Sequence, residues 1–183
     1  MKDPEPQEIK TWEPILAIVF IFIVISIFNF NRGWLSVNYT AQGLWFVGFG
    51  DFMTGRLGSI PLFSDAFFRW LPLMNISWFA EIFLNGMLLR SGRWNSTTRL
   101  VSIGIKILQI AIYLLLLAGP FILGITTEAL TASKIMDLHT AQTVTDALQM
   151  GLPILLGLGI LGKLIEIGQA GYKLITQDIS AKA

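Results

Sequence analysis

Four apolar runs, each about as long as a bilayer is thick, constrain this fold more than any other feature of the chain. A helix that crosses the hydrocarbon core needs about 20 mainly apolar residues. The runs predict spanning helices over residues 12–30, 67–89, 100–125 and 148–172. The first run, WEPILAIVFIFIVISIFNF, carries a single charged side chain, Glu13, in its first turn. The prediction is an all-α integral membrane protein, a four-helix transmembrane bundle that forms one membrane domain over residues 1–183.

The composition agrees with a chain that lies in a membrane. Of its 183 residues, 54% are hydrophobic and 14% are charged, whereas soluble domains carry about 25% charged residues. The formal net charge of +1 supplies no basic surface for nucleic acid, so no nucleic-acid partner is expected.

The residue types that catalysis and metal binding need are scarce. The chain has no cysteine and one histidine, His139, which excludes disulfides and thiolate sites. A zinc site needs several ligands at characteristic spacings, and no such pattern surrounds His139. The sequence also shows no Ser/His/Asp set and no pair of carboxylates placed for acid–base work. We therefore expect no enzyme activity, no metal and no cofactor.

The segments between the runs differ in kind. Residues 31–66 are rich in glycine and aromatic residues, which predicts a hairpin or an interfacial loop at the level of the lipid headgroups. Residues 90–99 predict a tight turn, and residues 126–147 predict a polar outer loop with a short exposed helix. The predicted interfacial anchors are Trp12, Trp34, Trp45, Trp70 and Trp94.

The orientation follows from the distribution of arginine. Arg90, Arg93 and Arg99 lie in the second connection without an acidic neighbour, and short loops rich in Lys and Arg stay in the cytoplasm. This turn is therefore predicted to be cytoplasmic. With four spans, both termini of a multi-pass protein of the cell's inner (cytoplasmic) membrane are then cytoplasmic too.

Two polar stripes interrupt the second and third runs. Glu81 and Asn85 lie four residues apart, on one face of a helix, and Ser102 and Gln109 flank Lys106 on the next helix. At about 1.5 Å rise per residue, Glu81 lies roughly 13 Å from Arg90. By the same measure, Lys106 lies roughly 10 Å from Arg99. The spacing predicts a Glu81–Lys106 ion pair between antiparallel helices.

The fourth run adds charges to the same predicted layer. Lys163 and Glu166 are three residues apart and so share one helix face. An unpaired charge near the bilayer centre costs about 2.5–3.5 kcal/mol, so these charges need partners or a wet interior. Three interpretations remain open: a structural cluster that fixes helix packing, a proton or ion relay, and an interface with another membrane protein.

A family resemblance covers about residues 1–125. The stretches PLFSDAFF, LPLMNISW and RSGRW, with FNFNRGW upstream, resemble the membrane region of bacterial proteins that carry an N-terminal HAAS-type signalling domain. The resemblance implies a membrane sensor or regulator whose membrane part has no established catalytic residues. In that family the signalling domain precedes the membrane region, so the chain is either a stand-alone relative or a membrane region without that domain.

These observations favour a non-catalytic integral membrane scaffold. It would be an accessory subunit of a membrane complex or the membrane module of a regulatory protein. The expected partners are the lipid bilayer and either other membrane-protein subunits or further copies of the chain. The alternative is a small transporter or proton-coupled module that uses the layer around Glu81 and Lys106. A third hypothesis, a lipid-active enzyme at the interface, would place its site near Asp51 and Arg56.

Overall fold

The fold is described from a computed structural model. It covers residues 9–31, 34–40, 43–46, 56–120, 122–134 and 136–182. In chain order the elements are α1 (Trp12–Phe30), β1 (Ser36–Thr40), β2 (Gly43–Phe46), β3 (Arg56–Pro61), α2 (Asp65–Arg69), α3 (Leu71–Ser91), α4 (Ser96–Ala118), α5 (Thr127–Ala132) and α6 (Leu138–Lys182).

Helices dominate, and three of those in the described part of the chain are long and apolar enough to cross a membrane. They are α1, α4 and the stretch Leu138–Thr176 of α6. Helix α3 has 21 residues but is not one of the three, because Glu81 and five further polar side chains lower its hydropathy. A membrane protein with three candidate spanning helices is therefore the architecture that the structure supports.

The structure corrects the all-α prediction between α1 and α2. Strands β1, β2 and β3 form an antiparallel sheet in the order β2-β1-β3. Val37 pairs with Phe46 on one side and with Ile60 on the other. The hairpin predicted as an alternative for residues 31–66 corresponds to β1 and β2. In the central strand β1 the consecutive residues Ser36, Val37 and Asn38 are all buried, so side chains on both faces of this strand are covered.

Helix boundaries also differ from the predicted ones. Helix α3 ends at Ser91 because Gly92 follows in the left-handed region, with φ 65°, and donates its N–H to the Leu88 carbonyl. Helix α4 begins at Ser96, so the predicted turn of residues 90–99 is short and Arg99 lies inside the helix. Helix α4 ends at Ala118, not at residue 125, because Pro120 disfavours helical backbone at the residue before it.

Helix α6 is 45 residues long, far longer than the predicted 148–172. It begins ten residues earlier because Asp137 caps it: the Thr140 N–H donates to the Asp137 carboxylate at 2.7 Å. Residues 126–147, predicted as an outer loop, therefore contain α5 and the first turns of α6. At about 1.5 Å per residue, α6 measures roughly 67 Å and exceeds the thickness of a bilayer.

The described residues fall into two compact units. One unit comprises residues 25–72 and 115–156. Its core joins the sheet to α5 and the start of α6: Val37, Ile60, Leu130 and Ala141 are all buried, and Ala141 is completely inaccessible. The chain after α4 returns to the sheet, where Gly124 donates to the Leu62 carbonyl at 2.9 Å.

The other unit comprises residues 1–24, 73–114 and 157–183. Leu84 and Leu88 of α3 pack against Ile105 of α4, and Trp94 and Ile9 cover this cluster. The Ile9 N–H donates to the Gly92 carbonyl at 3.1 Å. This unit contains every charged residue of the predicted polar layer.

Candidate functional site

An ion cluster links α4 to α6. The Lys106 Nζ lies 2.6 Å from the Glu166 Oε2, and the Lys163 Nζ lies 3.7 Å from the same oxygen. The two lysine side chains are 20% and 24% exposed, and that of Glu166 is 46% exposed. The two lysines thus share one carboxylate, and the pairing of Lys163 with Glu166 on one helix face agrees with their spacing in the sequence.

A second polar pair links α3 to α4. The Gln109 Nε2 donates to the Glu81 Oε1 at 2.5 Å. Gln109 is 9% exposed, and its Oε1 is buried with no hydrogen-bond partner. Asn85 does not reach across to α4: its Nδ2 donates to the Glu81 backbone carbonyl, one turn earlier in the same helix, at 2.8 Å. Glu81 is therefore held by a neutral amide, not by a cation.

This arrangement differs from the Glu81–Lys106 ion pair that the spacing predicts. The predicted depths were similar, but depth does not fix the direction in which each side chain points. Residues three apart on a helix differ by about 300°, so Lys106 and Gln109 point about 60° apart. Gln109 faces α3 and Lys106 faces α6, and each finds a different carboxylate.

Tyr113 lies close to both halves of the polar cluster. Its hydroxyl is within electrostatic range of Glu81 and of Glu166. Gly159 of α6 lies against the Tyr113 ring, so that a Cβ there would come to 3.1 Å from the ring carbon Cε2. Ser102 is also buried, at 4% exposure. We refer to Glu81, Gln109, Lys106, Lys163, Glu166 and Tyr113 as the polar cluster.

The three arginines of the predicted turn separate into two groups. Arg90 and Arg93 are exposed, as expected of cations that set topology. Arg99 is 5% exposed, its guanidinium lies 5.8 Å from the centroid of the Trp94 ring, and its Nε is buried without a hydrogen-bond partner. The sequence pattern does not indicate this burial, because Arg99 falls within the predicted turn of residues 90–99.

A capping signal explains why Arg99 lies inside α4. The Thr98 N–H donates to the Asn95 side chain at 2.8 Å, and the Asn95 N–H donates to the Thr98 hydroxyl at 3.0 Å. This is the reciprocal arrangement of a capping box. The Asn-x-x-Thr spacing could have placed the helix start at Ser96 from the sequence.

A small open pocket lies beside the polar cluster, in the same unit. Its volume is about 200 Å³, and its lining residues come from the turn before α4, the first half of α4 and the second half of α6: Trp94, Arg99, Ser102, Lys106, Glu166, Gln169, Ala170 and Lys173. Three cations and one carboxylate give this lining a formal charge of +2. The pocket can accept an anion and offers hydroxyl and amide groups as further hydrogen-bond partners.

The remaining predicted residues lie elsewhere. Trp12 and Trp34 are exposed, in keeping with a role as interfacial anchors, whereas the Trp70 ring nitrogen lies close to Gly119. His139 is exposed, and among the described residues no group of three or more His, Cys, Asp or Glu could hold a metal. The Trp45 side chain, Asp51 and the Arg56 side chain lie outside the described part of the structure.

Comparisons of this chain with protein-family models, with curated proteins and with solved structures find no match.

Proposed function

We propose that this chain is a non-catalytic integral membrane scaffold, as an accessory subunit of a membrane complex or as the membrane module of a regulatory protein. The observation that carries the proposal is the set of polar contacts by which the polar cluster links α3, α4 and α6. Lys106, Lys163 and Glu166 form one ion cluster, and Glu81 takes a hydrogen bond from Gln109. Charges that neutralise one another across helices fix packing and register, and their desolvation penalty is thereby reduced.

The exposed apolar surface supports a role in a membrane. Large apolar side chains on α1 are between about half and two thirds exposed: Ile15, Leu16, Val19, Phe20, Phe22 and Ile23. The middle of α6 exposes a comparable set: Ile154, Leu155, Leu158, Leu161, Leu164 and Ile165. Contiguous apolar surface of this extent belongs against lipid tails or against the helices of a partner.

In the proposed arrangement α3 is the fourth spanning helix of a four-helix bundle. Glu81 is the residue of α3 whose insertion into the membrane costs the most free energy. The hydrogen bond that it accepts from Gln109 of α4 lowers this cost. Arg90 and Arg93 would then face the cytoplasm with both termini. The resemblance of the membrane region to HAAS-type bacterial regulators supports the regulatory version of this proposal.

The test is purification from the native membrane in nanodiscs, with mass spectrometry of the proteins that accompany the chain. A scaffold should copurify with a fixed ratio of another subunit or as a homo-oligomer of defined size. The control is the same purification of a variant with Leu155→Lys and Leu158→Lys, which places charge on the exposed α6 face and should release the partner. A monodisperse monomer without a partner would contradict the proposal.

A second candidate function is proton-coupled transport. The observation in its favour is that two carboxylates, Glu81 and Glu166, are both engaged by α4, through Gln109 at 2.5 Å and Lys106 at 2.6 Å. The test is proton flux into liposomes that contain the purified chain and a pH-sensitive dye. The scaffold predicts no flux above that of protein-free liposomes. Flux that disappears in Glu81→Gln but persists in the exposed control Glu13→Gln would establish transport instead.

A further inference from the structure

Arg99 is the charged side chain whose surroundings the polar cluster does not explain. It is 5% exposed, yet its guanidinium has neither a hydrogen bond nor an ion pair among the described residues. Among the described residues, its guanidinium makes a cation–π contact with Trp94, whose ring centroid lies 5.8 Å away. A buried cation without an anion is costly, because desolvation is then uncompensated. An anionic partner for Arg99 would remove that cost.

The pocket that Arg99 lines is built to receive such a partner. Lys106 and Lys173 line it together with Arg99, and Glu166, which Lys106 already engages, is the one carboxylate. The hydroxyl of Ser102 and the amide of Gln169 add neutral hydrogen-bonding groups. A pocket of about 200 Å³ accommodates a group of the size of a phosphate with a few attached atoms.

The position of the pocket along the helices indicates the source of the anion. Arg99 lies in the first turn of α4, and Lys173 lies three residues before Thr176, the end of the apolar stretch of α6. Both cations therefore lie near the ends of apolar stretches that are long enough to cross a membrane, and a helix that spans a bilayer carries its terminal residues at the level of the lipid phosphates. Trp94 also belongs at this level, because tryptophan prefers the membrane interface. Basic pockets between spanning helices are known to bind anionic headgroups.

The geometry points to a binding site for the phosphate of an anionic lipid headgroup between the start of α4 and the second half of α6. Arg99 donates its paired N–H groups to the phosphate oxygens, and Lys173 supplies a second positive charge from α6. Trp94 supports the guanidinium through its ring face. The site requires that the protein lie in a membrane, but it does not depend on the scaffold role. A variant that no longer binds the anionic lipid should still copurify with the same partner proteins as the parent.

The experiment measures binding of short-chain phosphatidylglycerol to the purified full chain in phosphatidylcholine nanodiscs. Arg99→Gln is expected to weaken this binding about tenfold or more, which is the loss of one charge-assisted hydrogen-bond pair. Lys173→Gln is a second variant at an exposed position, so it tests the site even if Arg99→Gln folds poorly. The matched control is Arg93→Gln, which removes the same charge from an exposed position near the same helix end and should bind like the parent.

Three results would overturn the proposal. The first is an equal loss in Arg93→Gln, which would show attraction to general surface charge. The second is binding of short-chain phosphatidylcholine as tight as that of phosphatidylglycerol, which would show that headgroup charge is not recognised. The third is inorganic phosphate that competes with equal affinity in an Arg99-dependent way, which would identify a soluble anion as the ligand.

Discussion

At the scale of single residues, Glu81 shows how a carboxyl group is accommodated in a largely apolar helix. Its partner is the amide of Gln109 at 2.5 Å, and Gln109 is nearly buried. The energetics of such a pair are asymmetric. Removal of one partner leaves a buried polar group unsatisfied, whereas removal of both leaves an apolar contact. A comparison of single and double substitutions therefore shows whether Glu81 and Gln109 act as a structural pair.

We predict that Glu81→Met and Gln109→Met each lower the free energy of unfolding by about 1–3 kcal/mol. The double variant should lose much less than the sum of the two, because neither polar group is then left without a partner. The measurement is reversible unfolding in mixed micelles, with the exposed Glu13→Met as control. Strict additivity of the two effects would show that the residues are not coupled.

Asp137 provides a second residue-scale prediction, outside the spanning segments. The Thr140 hydroxyl and the Thr140 backbone N–H both donate to its carboxylate and hold the pKa of Asp137 below its ordinary value. A lowered pKa means that the ionised form stabilises the folded state. The contribution is complete above the unfolded-chain pKa of about 3.9 and is lost as the pH falls through the lower folded pKa.

Hydrogen exchange at the Thr140 amide measures this cap. Protection should be high at neutral pH and should fall in the acid range below about pH 4 as Asp137 is protonated. Asp137→Asn keeps a capping oxygen without a titrating group, so its protection should not show this fall. An identical pH profile in both proteins would refute the assignment of the cap to the Asp137 carboxylate.

The polar residues of the cluster could be predicted from sequence, but their pairing could not. The four-residue repeat and the loop positions set the depth of Glu81 and Lys106, which is a one-dimensional quantity. The partner of each side chain depends on the rotation of each helix about its axis. That rotation is fixed by packing, here by Leu84 and Leu88 against Ile105. A pattern in one helix carries little information about the rotation of its neighbour.

At the scale of elements, the apolar runs predict where spanning helices exist more reliably than where they end. Helix α1 has the predicted bounds, because the run and the helix coincide. Helix α6 begins before its run because the Asp137 cap, and not hydropathy, sets its start, and it also continues beyond the run to Lys182. The sheet was incompletely predicted because β3 pairs with β1 across residues 41–55, and no local pattern specifies that partner.

The glycines of α6 differ in how closely a neighbouring helix approaches them. Of Gly157, Gly159 and Gly162, only Gly159 has a near neighbour among the described residues, the Tyr113 ring. We predict that Gly159→Leu lowers the free energy of unfolding by about 1–3 kcal/mol, because the ring must move. Gly162→Leu should be neutral or stabilising, since glycine costs about 1 kcal/mol inside a helix. Thermal unfolding in nanodiscs compares the two, and equal effects would contradict close α4–α6 packing at Gly159.

At the scale of the whole molecule, the account holds that the polar cluster adds charged and hydrogen-bonded contacts between α3, α4 and α6 to the apolar packing of the unit that contains them. Three helices contribute to it: α3 through Glu81, α4 through Lys106 and Gln109, and α6 through Lys163 and Glu166. In the proposed scaffold, such a cluster holds the helices together while the apolar surface faces lipid or partner helices. A relay would instead depend on one carboxyl group that changes its protonation state.

The most direct measurement is a charge swap between positions 106 and 166, made in a Lys163→Gln background so that only this pair is tested. Lys106→Glu and Glu166→Lys alone should each lower the free energy of unfolding in nanodiscs by about 1–3 kcal/mol, because like charges then face each other. The double variant should recover at least half of that loss. Single variants as stable as their parent, or a double variant no more stable than either single one, would contradict the account.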